Sequence, residues 1–374
     1  MKNDFRKKAR TWALIALMCL GLHYGMIVLA HLIIHGGLDA ASLGSMMIER
    51  LTQPGDATRY LDIAMNGYTA AGENAINLVF YPLYPLFIRL LGAVLGDYGL
   101  SGVLISQISY AAASILLYEM LLLDGDRRRA WDGVLLLALY PFSMFTMGIF
   151  SESLFLALVT GCLYALRRRN MAWVGITGFL AALTRAQGVL LLFPAVYEIV
   201  TLRFGEAKRK PRPADAALLL IPAGFGVYLL INYALHGNCF QFLTYEAGKP
   251  WYQSTRWVGS NIAMQYGMAK DNPGLEWIIY WVQIALYFIA LITLLAGIRK
   301  RKRISEILFG AVYLGFTYLS GWMISGGRYL LCCIPLYVIW SGMKPGLGRT
   351  SMISGCAMLF FAYSLFYMIG YAIM

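Results

Sequence analysis

The stretch INLVFYPLYPLFIRLLGAVLG, residues 76–96, decides how the rest of the chain is threaded. It is long enough to cross a bilayer, which takes about 20 apolar residues as a helix. It also contains Pro82, Pro85 and Arg89, which cost much less at a membrane surface than at the bilayer centre. If it crossed, every later basic turn would change sides. We therefore interpret it as a re-entrant or interfacial helix.

The composition predicts an all-α polytopic membrane protein. Of 374 residues, 59% are hydrophobic and only 13% are charged, and the mean hydropathy is +0.62. Soluble domains have a much less apolar composition. A helix satisfies its backbone polar groups within one segment, as lipid requires, and the alternation typical of a membrane barrel is absent from the sequence.

The net charge of +12 comes from lysines and arginines that cluster in short turns. Basic turns mark the cytoplasmic side of membrane proteins, so we interpret these residues as topology determinants and expect no nucleic-acid partner. All of these turns should face the same side. They are residues 2–10, 124–129, 167–170, 203–215, 298–303 and 344–349.

This requirement predicts eleven crossings in one membrane domain, 1–374, with the amino terminus inside as an uncleaved first helix. Two long connections, 35–99 and 236–276, then lie on the extracytoplasmic side. The crossings are predicted at about 12–34, 100–123, 131–150, 153–166, 171–184, 188–202, 214–235, 277–298, 304–324, 330–343 and 351–373.

Cysteines and histidines indicate no metal site. The six cysteines lie mostly in apolar runs without a Cys-x-x-Cys or Cys/His spacing, so we interpret them as packing residues. The four histidines show no ligand spacing either.

Polar residues other than the basic turns collect at the predicted outer ends of the helices, where Arg185 and Arg328 run against the usual charge bias. The candidate site residues are Asp56, Arg59, Tyr60, Tyr81, Tyr84, Ser151, Glu152, Arg185, Gln187, Glu246, Trp251, Arg328 and Tyr329.

Two guanidinium groups and a carboxylate suit a lipid-borne phosphate substrate. Arginine binds phosphate with two parallel hydrogen bonds, and a carboxylate such as Asp56 can accept a proton from an attacking hydroxyl. Glycosyl transfer from a lipid phosphate sugar needs both functions. A structural alternative remains open, in which Arg185 and Arg328 form ion pairs with Glu152 and Glu246 and Trp251 belongs to an interfacial aromatic belt.

Several motifs in order resemble the PIG-V family, the second mannosyltransferases of GPI-anchor assembly and their bacterial relatives. They are GDATRYLDIAMNGY (55–68), NLVFYPLYPLFIRLL (77–91), PFSMFTMGIFSESLFLAL (141–158), GFLAALTRAQGVLLLFPA (178–195), FQFLTYEAGKPW (240–251) and GRYLLCCIPLY (327–337).

The resemblance implies a GT-C glycosyltransferase fold and a polyprenyl or dolichyl phosphate sugar as donor, usually mannose, with transfer by inversion and no cofactor. Asp56 corresponds to the loop acid and presumed base, Glu152 to the acid of the Ser-Glu pair, Arg185 to the Thr-Arg arginine and Arg328 to the arginine before tyrosine. The chain looks like a bacterial member, which implies the plasma membrane, an extracytoplasmic site and a glycolipid or other extracytoplasmic acceptor.

Two positions depart from the family pattern. Gly55 precedes Asp56 where relatives have tryptophan, and Glu246 stands where they usually have glutamine. The first departure bears on the alignment of Asp56, and the second points to a different acceptor.

Two other functions fit some of these features. A transporter or flippase for lipid-linked sugars would also need arginines and a lipid groove, but it would be expected to have internal repeats and helices broken near the bilayer centre. A scaffold subunit with an inactive site is kept open by the Gly55 departure.

Overall fold

A computed structural model describes residues 2–53, 55–205, 209–210, 212–300, 303–321 and 323–371. Within these ranges the chain is helical apart from turns and loops, and its strand-like pairing is limited to an isolated bridge between Thr255 and Ser320.

The first half of the described chain contains eight α-helices. They are α1 (Lys2–His35), α2 (Ala40–Thr52), α3 (Asp56–Asn66), α4 (Leu83–Leu95), α5 (Tyr98–Leu122), α6 (Arg127–Ala138), α7 (Glu152–Arg167) and α8 (Met171–Thr184).

Nine more follow in the rest of the described residues. They are α9 (Leu192–Phe204), α10 (Leu220–His236), α11 (Gln241–Ala247), α12 (Val258–Asp271), α13 (Leu275–Arg299), α14 (Ile304–Leu319), α15 (Gly326–Leu330), α16 (Ile334–Trp340) and α17 (Leu347–Met368). Short 3-10 helices form at Glu73–Val79, Ser143–Thr146, Ala186–Leu191, Pro213–Leu219 and Met323–Ser325.

The prediction of an all-α membrane protein is confirmed, but the number of eleven crossings is not supported. Six helices among the described residues are long and apolar enough to cross a membrane, or up to eight if each of two bent helix pairs is one span. The helices α8 and α14 are apolar but shorter.

The predicted crossing 131–150 shows why the count differs. Its helix, α6, ends at Ala138, and the following residues form turns and a 3-10 helix. Pro141 lacks a backbone N–H and its ring clashes with the preceding helical turn, so the apolar run cannot continue as one helix. The buried residues that follow line the site described below.

The run 76–96 is not a straight span. The 3-10 helix Glu73–Val79 and α4 meet at an angle of 113°, with Pro82 between them as the cap of α4. The run that the sequence predicts as a re-entrant or interfacial helix is therefore a bent pair of helices, with Pro82 at the bend. At its other end α4 stops at Gly96, whose φ of 76° is left-handed, and the Asp97 side chain caps α5 by accepting a hydrogen bond from the Leu100 N–H.

The two long connections contain helices of their own. The first contains α2, α3, the 3-10 helix Glu73–Val79 and α4, and the second contains α11 and α12. Two backbone hydrogen bonds hold the second connection to the end of α14, from Gly321 N–H to Ser254 O and from Arg256 N–H to Leu319 O. Both connections are thus folded parts of the bundle.

The bundle has two chemically different ends. Helix α7 runs from Glu152, which pairs with arginines at the candidate site, to Arg167. Arg167 is almost fully buried, forms two hydrogen bonds with the Glu306 carboxylate at 2.5 and 2.9 Å, and contacts Asp124. The site end and the Arg167 end therefore lie at opposite ends of α7.

Candidate functional site

Both acids of the candidate site begin a helix. Asp56 is the first residue of α3 and Glu152 is the first residue of α7. The amino terminus of a helix carries a partial positive charge, which stabilises a carboxylate at that position. The amino termini of α3 and α7 thus position the two carboxylates and stabilise their negative charges.

The glycine before Asp56 has a local structural reason. Gly55 adopts φ 52° and ψ −113°, a left-handed conformation that side chains with a Cβ rarely take. A tryptophan at this position would be strained in the present backbone. The backbone conformation at this position therefore favours glycine.

The two arginines come from distant parts of the sequence. Arg185 directly follows α8 as its extended C-cap residue, and Arg328 lies within the short helix α15. Both side chains reach the start of α7, although more than a hundred residues separate them in the chain.

A continuous set of hydrogen bonds joins the two acids to the two arginines. The Glu152 Oε1 atom accepts from Arg185 Nη1 at 2.8 Å and from Arg328 Nε at 2.6 Å. The Arg328 Nη2 atom donates to Asp56 Oδ2 at 2.7 Å. Arg328 thus bridges both carboxylates, and the four charges cancel. We call Asp56, Glu152, Arg185 and Arg328 the charge cluster.

Burial increases from Asp56 toward Glu152. The exposed fractions of the side chains are 30% for Asp56, 13% for Arg185, 9% for Arg328 and 0% for Glu152. Asp56 is therefore the member most accessible to an entering molecule, whereas Glu152 lies at the bottom of the charge cluster.

Aromatic rings surround the arginines. The Arg328 guanidinium carbon lies 4.8 Å from the ring centre of Phe145 and 4.7 Å from that of Phe150, and that of Arg185 lies 4.8 Å from the Tyr329 ring. Such contacts favour a desolvated cation. The sequence interpretation did not assign Phe145 or Phe150, although both lie in the PFSMFTMGIF stretch.

Hydroxyl groups extend the charge cluster on one side. The Ser151 Oγ atom accepts from Arg185 Nη1 at 3.1 Å and from the Tyr60 hydroxyl at 2.8 Å. The second carboxylate oxygen of Glu152, Oε2, is buried and has no hydrogen-bond partner among the described residues. An unsatisfied buried carboxylate oxygen is costly, so Glu152 Oε2 has the capacity to accept a further hydrogen bond.

Other predicted site residues lie outside the charge cluster. Arg59 donates to Asn77 Oδ1 at 3.1 Å, and the Asn77 amide in turn donates to Asp62. The hydroxyl of Tyr84 is bonded to Ser106 and to the Gly102 carbonyl inside the protein. Arg59 therefore orders the first connection, and Tyr84 packs in the core.

Gln187 and Trp251 make none of the hydrogen bonds of the charge cluster. Gln187 is buried in the 3-10 helix that follows Arg185. Trp251, in the second connection, packs against Phe80 of the first, with ring centres 6.0 Å apart. Trp251 therefore joins the two long connections.

Tyr81 and Glu246 make none of the hydrogen bonds of the charge cluster. The Tyr81 ring stacks on Tyr228 with ring centres 4.0 Å apart. Burial raises the pKa of Glu246 to about 7, and its carboxylate makes no ion pair or hydrogen bond within the described part of the chain. Of the ion pairs in the structural alternative, those of Arg185 and Arg328 with Glu152 are present, and a pair with Glu246 is absent from that part of the chain.

No group of three or more histidine, cysteine, aspartate or glutamate side chains in the described ranges is arranged to hold a metal ion. The chemistry that the charge cluster itself offers is recognition of an anion by arginine and acceptance of a proton by Asp56.

Comparisons with known proteins yield a structural likeness without a sequence match. No family model and no curated protein matches the chain. The oligosaccharyltransferase of Archaeoglobus fulgidus, solved in complex with zinc and sulfate, superposes with a TM-score of 0.45 at 13% sequence identity over 86% of this chain and 49% of that one. This chain thus spans about half the length of that protein.

Proposed function

We propose that the protein is a membrane glycosyltransferase of the GT-C kind. It moves a sugar, which we take to be mannose, from a polyprenyl or dolichyl phosphate donor to a hydroxyl of a glycolipid or other extracytoplasmic acceptor. The observation that supports this proposal is the charge cluster, in which Arg185, Arg328 and Asp56 meet although the sequence separates them widely.

The donor phosphate would bind to the two arginines. Glu152 holds Arg185 and Arg328 from the buried side of the charge cluster. The two arginines are therefore preorganised to bind a negative charge that enters from the exposed side. Preorganised donors in a poorly hydrated site stabilise charge that develops during a reaction. In the proposed reaction, the charge that develops is the negative charge of the departing lipid phosphate.

Asp56 would serve as the general base. Its carboxylate takes the proton of the acceptor hydroxyl while that oxygen attacks the anomeric carbon of the sugar. The bond from the anomeric carbon to the phosphate oxygen breaks, and the electron pair leaves with the lipid phosphate. A single displacement of this kind inverts the anomeric configuration.

The proposed location follows from the same reasoning. A bacterial plasma membrane with the amino terminus in the cytoplasm would present the charge cluster on the extracytoplasmic side, where lipid phosphate sugars are used by the family that the sequence resembles. The protein's partners would then be lipids and lipid-linked sugars.

Incubation of purified protein with radiolabelled polyprenyl phosphate mannose and membrane lipids tests the proposal. We expect a labelled glycolipid whose formation requires the protein. If no labelled lipid forms and the donor stays intact with every acceptor lipid tried, the proposal is contradicted.

The arginines can be tested separately with a matched control. Arg185→Ala and Arg328→Ala should each weaken donor binding or turnover by about 100-fold or more, the cost of about 3 kcal/mol. Arg89, an exposed arginine of α4, is the control, and Arg89→Ala should change either quantity less than about twofold. Equal losses in all three variants would count against phosphate recognition.

A further inference from the structure

The helix that carries Arg328 has little stability of its own. Helix α15 is five residues long, and two of the five are glycines. It belongs to the pair of short helices, Met323–Leu330 and Ile334–Trp340, that is bent by 59°. Most of the cost of forming a helix lies in its first turn, and glycine disfavours helix. The backbone around Arg328 therefore depends on contacts with the rest of the protein.

Two buried side chains bind both backbone polar groups of Gly327, the residue before Arg328. The Gly327 N–H donates to Oε1 of Gln283, on α13, at 2.6 Å. The Tyr140 hydroxyl, from the segment after α6, donates to the Gly327 carbonyl oxygen at 2.9 Å. The first N–H groups of a helix have no acceptor within that helix, so Gln283 supplies one from outside.

A third buried side chain binds the residue after Arg328. The Tyr313 hydroxyl, on α14, donates to the Tyr329 carbonyl oxygen at 3.0 Å. Tyr140, Gln283 and Tyr313 are all fully buried, and they come from three separate parts of the chain. We call these three residues the backbone clamp. Arg328 thus lies between two residues whose main-chain atoms the clamp holds.

Close packing keeps α15 against the clamp. A Cβ at Gly327 would lie 2.4 Å from a ring carbon of Phe142 and 2.8 Å from a methyl carbon of Leu286. Such distances are far below van der Waals contact, so α15 can approach these side chains only because residue 327 is glycine. The same approach brings the Gly327 main chain within reach of Gln283.

The clamp makes none of the hydrogen bonds of the charge cluster. Those bonds join Asp56, Ser151, Glu152, Arg185 and Arg328 to one another. The clamp side chains bind main-chain atoms instead, and the Gln283 Nε2 atom has no hydrogen-bond partner among the described residues. Any effect of the clamp on an anion bound at the charge cluster must therefore act through the position of Arg328.

We propose that Tyr140, Gln283 and Tyr313 are positioning residues for Arg328, which hold its guanidinium in place before an anionic substrate binds. The proposal rests on the proposed function, in which Arg328 binds the donor phosphate. A binding group must lie within about 0.5 Å of its productive position. A group that is already ordered loses less conformational entropy when its ligand binds.

Binding of farnesyl phosphate and of farnesol tests the proposal without any sugar transfer. The two probes differ only in the phosphate, so the ratio of their affinities measures phosphate recognition. Affinities for the full-length protein in nanodiscs are measured by calorimetry, and melting temperatures are measured on the same preparations. Gln283→Met keeps the length of the side chain and removes the acceptor of the Gly327 N–H.

We expect Gln283→Met to weaken farnesyl phosphate binding about tenfold, as for a lost hydrogen bond, and to leave farnesol binding unchanged. Tyr140→Phe, which loses a single oxygen atom, should act in the same direction. Tyr228→Phe is the matched control, because the buried Tyr228 hydroxyl also donates to a main-chain carbonyl, that of Leu78, at 2.6 Å. It should lower the melting temperature about as much as Tyr140→Phe and leave both affinities unchanged.

A double-mutant cycle separates positioning from general stability. Residues that act through one another have non-additive effects. In the Arg328→Ala background, Gln283→Met should therefore change farnesyl phosphate affinity less than about twofold, although it still lowers the melting temperature.

Three results would overturn the proposal: unchanged farnesyl phosphate affinity in Gln283→Met and Tyr140→Phe, an equal loss of affinity in Tyr228→Phe, or a tenfold effect of Gln283→Met that persists in the Arg328→Ala background. Each of these concerns the variants alone. Equal affinity of the unchanged protein for farnesyl phosphate and farnesol would contradict phosphate recognition itself, and with it both the proposed function and the role of the clamp.

Discussion

At the scale of single residues, Glu152 holds the charge cluster together. It accepts hydrogen bonds from both arginines through one oxygen and is fully buried. Asp56 contacts one arginine and is about a third exposed. The two acids should therefore respond differently to loss of their charge.

Glu152→Gln should lower the free energy of unfolding by about 3–5 kcal/mol, because it leaves two buried guanidinium groups short of a negative partner. Asp56→Asn should lower it much less, since water reaches that side chain. Thermal unfolding of the two variants in the same detergent measures the difference. Equal shifts in the melting temperature would show that Asp56 has a structural role comparable to that of Glu152.

Asp56→Asn should also abolish turnover while donor binding remains. Loss of a general base costs about 100-fold to 10,000-fold in rate, whereas the arginines that bind the phosphate stay in place. Turnover and equilibrium binding of radiolabelled donor, measured on the same preparation, separate the two effects. If the protein were an inactive scaffold or a transporter, Asp56→Asn would not change sugar transfer, because neither kind of protein carries out that reaction.

At the scale of elements, the packing of α8 against α10 sets the position of Arg185. Helix α8 ends one residue before Arg185, and Gly224 of α10 lies directly against the backbone of Phe179 in α8. A Cβ at Gly224 would overlap the Phe179 carbonyl oxygen. The close approach of the two helices therefore requires glycine.

Gly224→Ala should destabilise the protein by about 1–3 kcal/mol, the usual cost of overpacking, and should reduce donor affinity by moving the end of α8. Gly226 lies two residues further along α10 with open space around its Cβ position. Gly226→Ala should be neutral or stabilising by up to about 1 kcal/mol, as alanine favours helix. Melting temperatures and donor affinities of the pair measure this.

If both glycine variants behave alike, helix propensity alone governs this position. If Gly224→Ala lowers the melting temperature and leaves donor affinity unchanged, the end of α8 does not control Arg185.

At the scale of the whole molecule, the site end and the Arg167 end should face opposite sides of the membrane. Cys239 is the one cysteine in the described ranges that is not buried, and it lies in the connection 236–276 on the proposed extracytoplasmic side. The chain thus carries a natural reporter of its orientation.

A membrane-impermeant maleimide should label Cys239 in intact cells. Cys239→Ser should abolish the labelling, because the other five cysteines are buried. In that background, Arg168→Cys, an exposed position at the Arg167 end, should react after permeabilisation. The reverse pattern would place the charge cluster in the cytoplasm and contradict the proposed acceptor location.

Several features were predictable because they depend on local chemistry. Apolar runs require helices in lipid, and the prolines and the arginine of 76–96 argued against a straight crossing there, where the structure has a bend at Pro82. The residues Asp56, Glu152, Arg185 and Arg328 were selected because charges at apolar helix ends are costly without a purpose. Their roles in transfer remain predictions.

The number of spans was less predictable. The hydropathy of the sequence does not show that α6 ends at Ala138. It also does not show that the run 330–343 belongs to a pair of short helices bent by 59°. Long apolar runs are buried in the protein as well as in lipid, and composition alone does not distinguish the two. Of the helices within the long connections, α4 was predicted as a re-entrant or interfacial helix, whereas α2, α11 and α12 were not predicted.

The sequence by itself determined that this chain is a bundle of apolar helices, because burial in lipid permits little else. Only the tertiary structure decided that Glu152, rather than Glu246, pairs with both arginines, and that Phe145 and Phe150 enclose Arg328. Those contacts join helices far apart in the chain, so they depend on how the helices pack and not on any local pattern of residues.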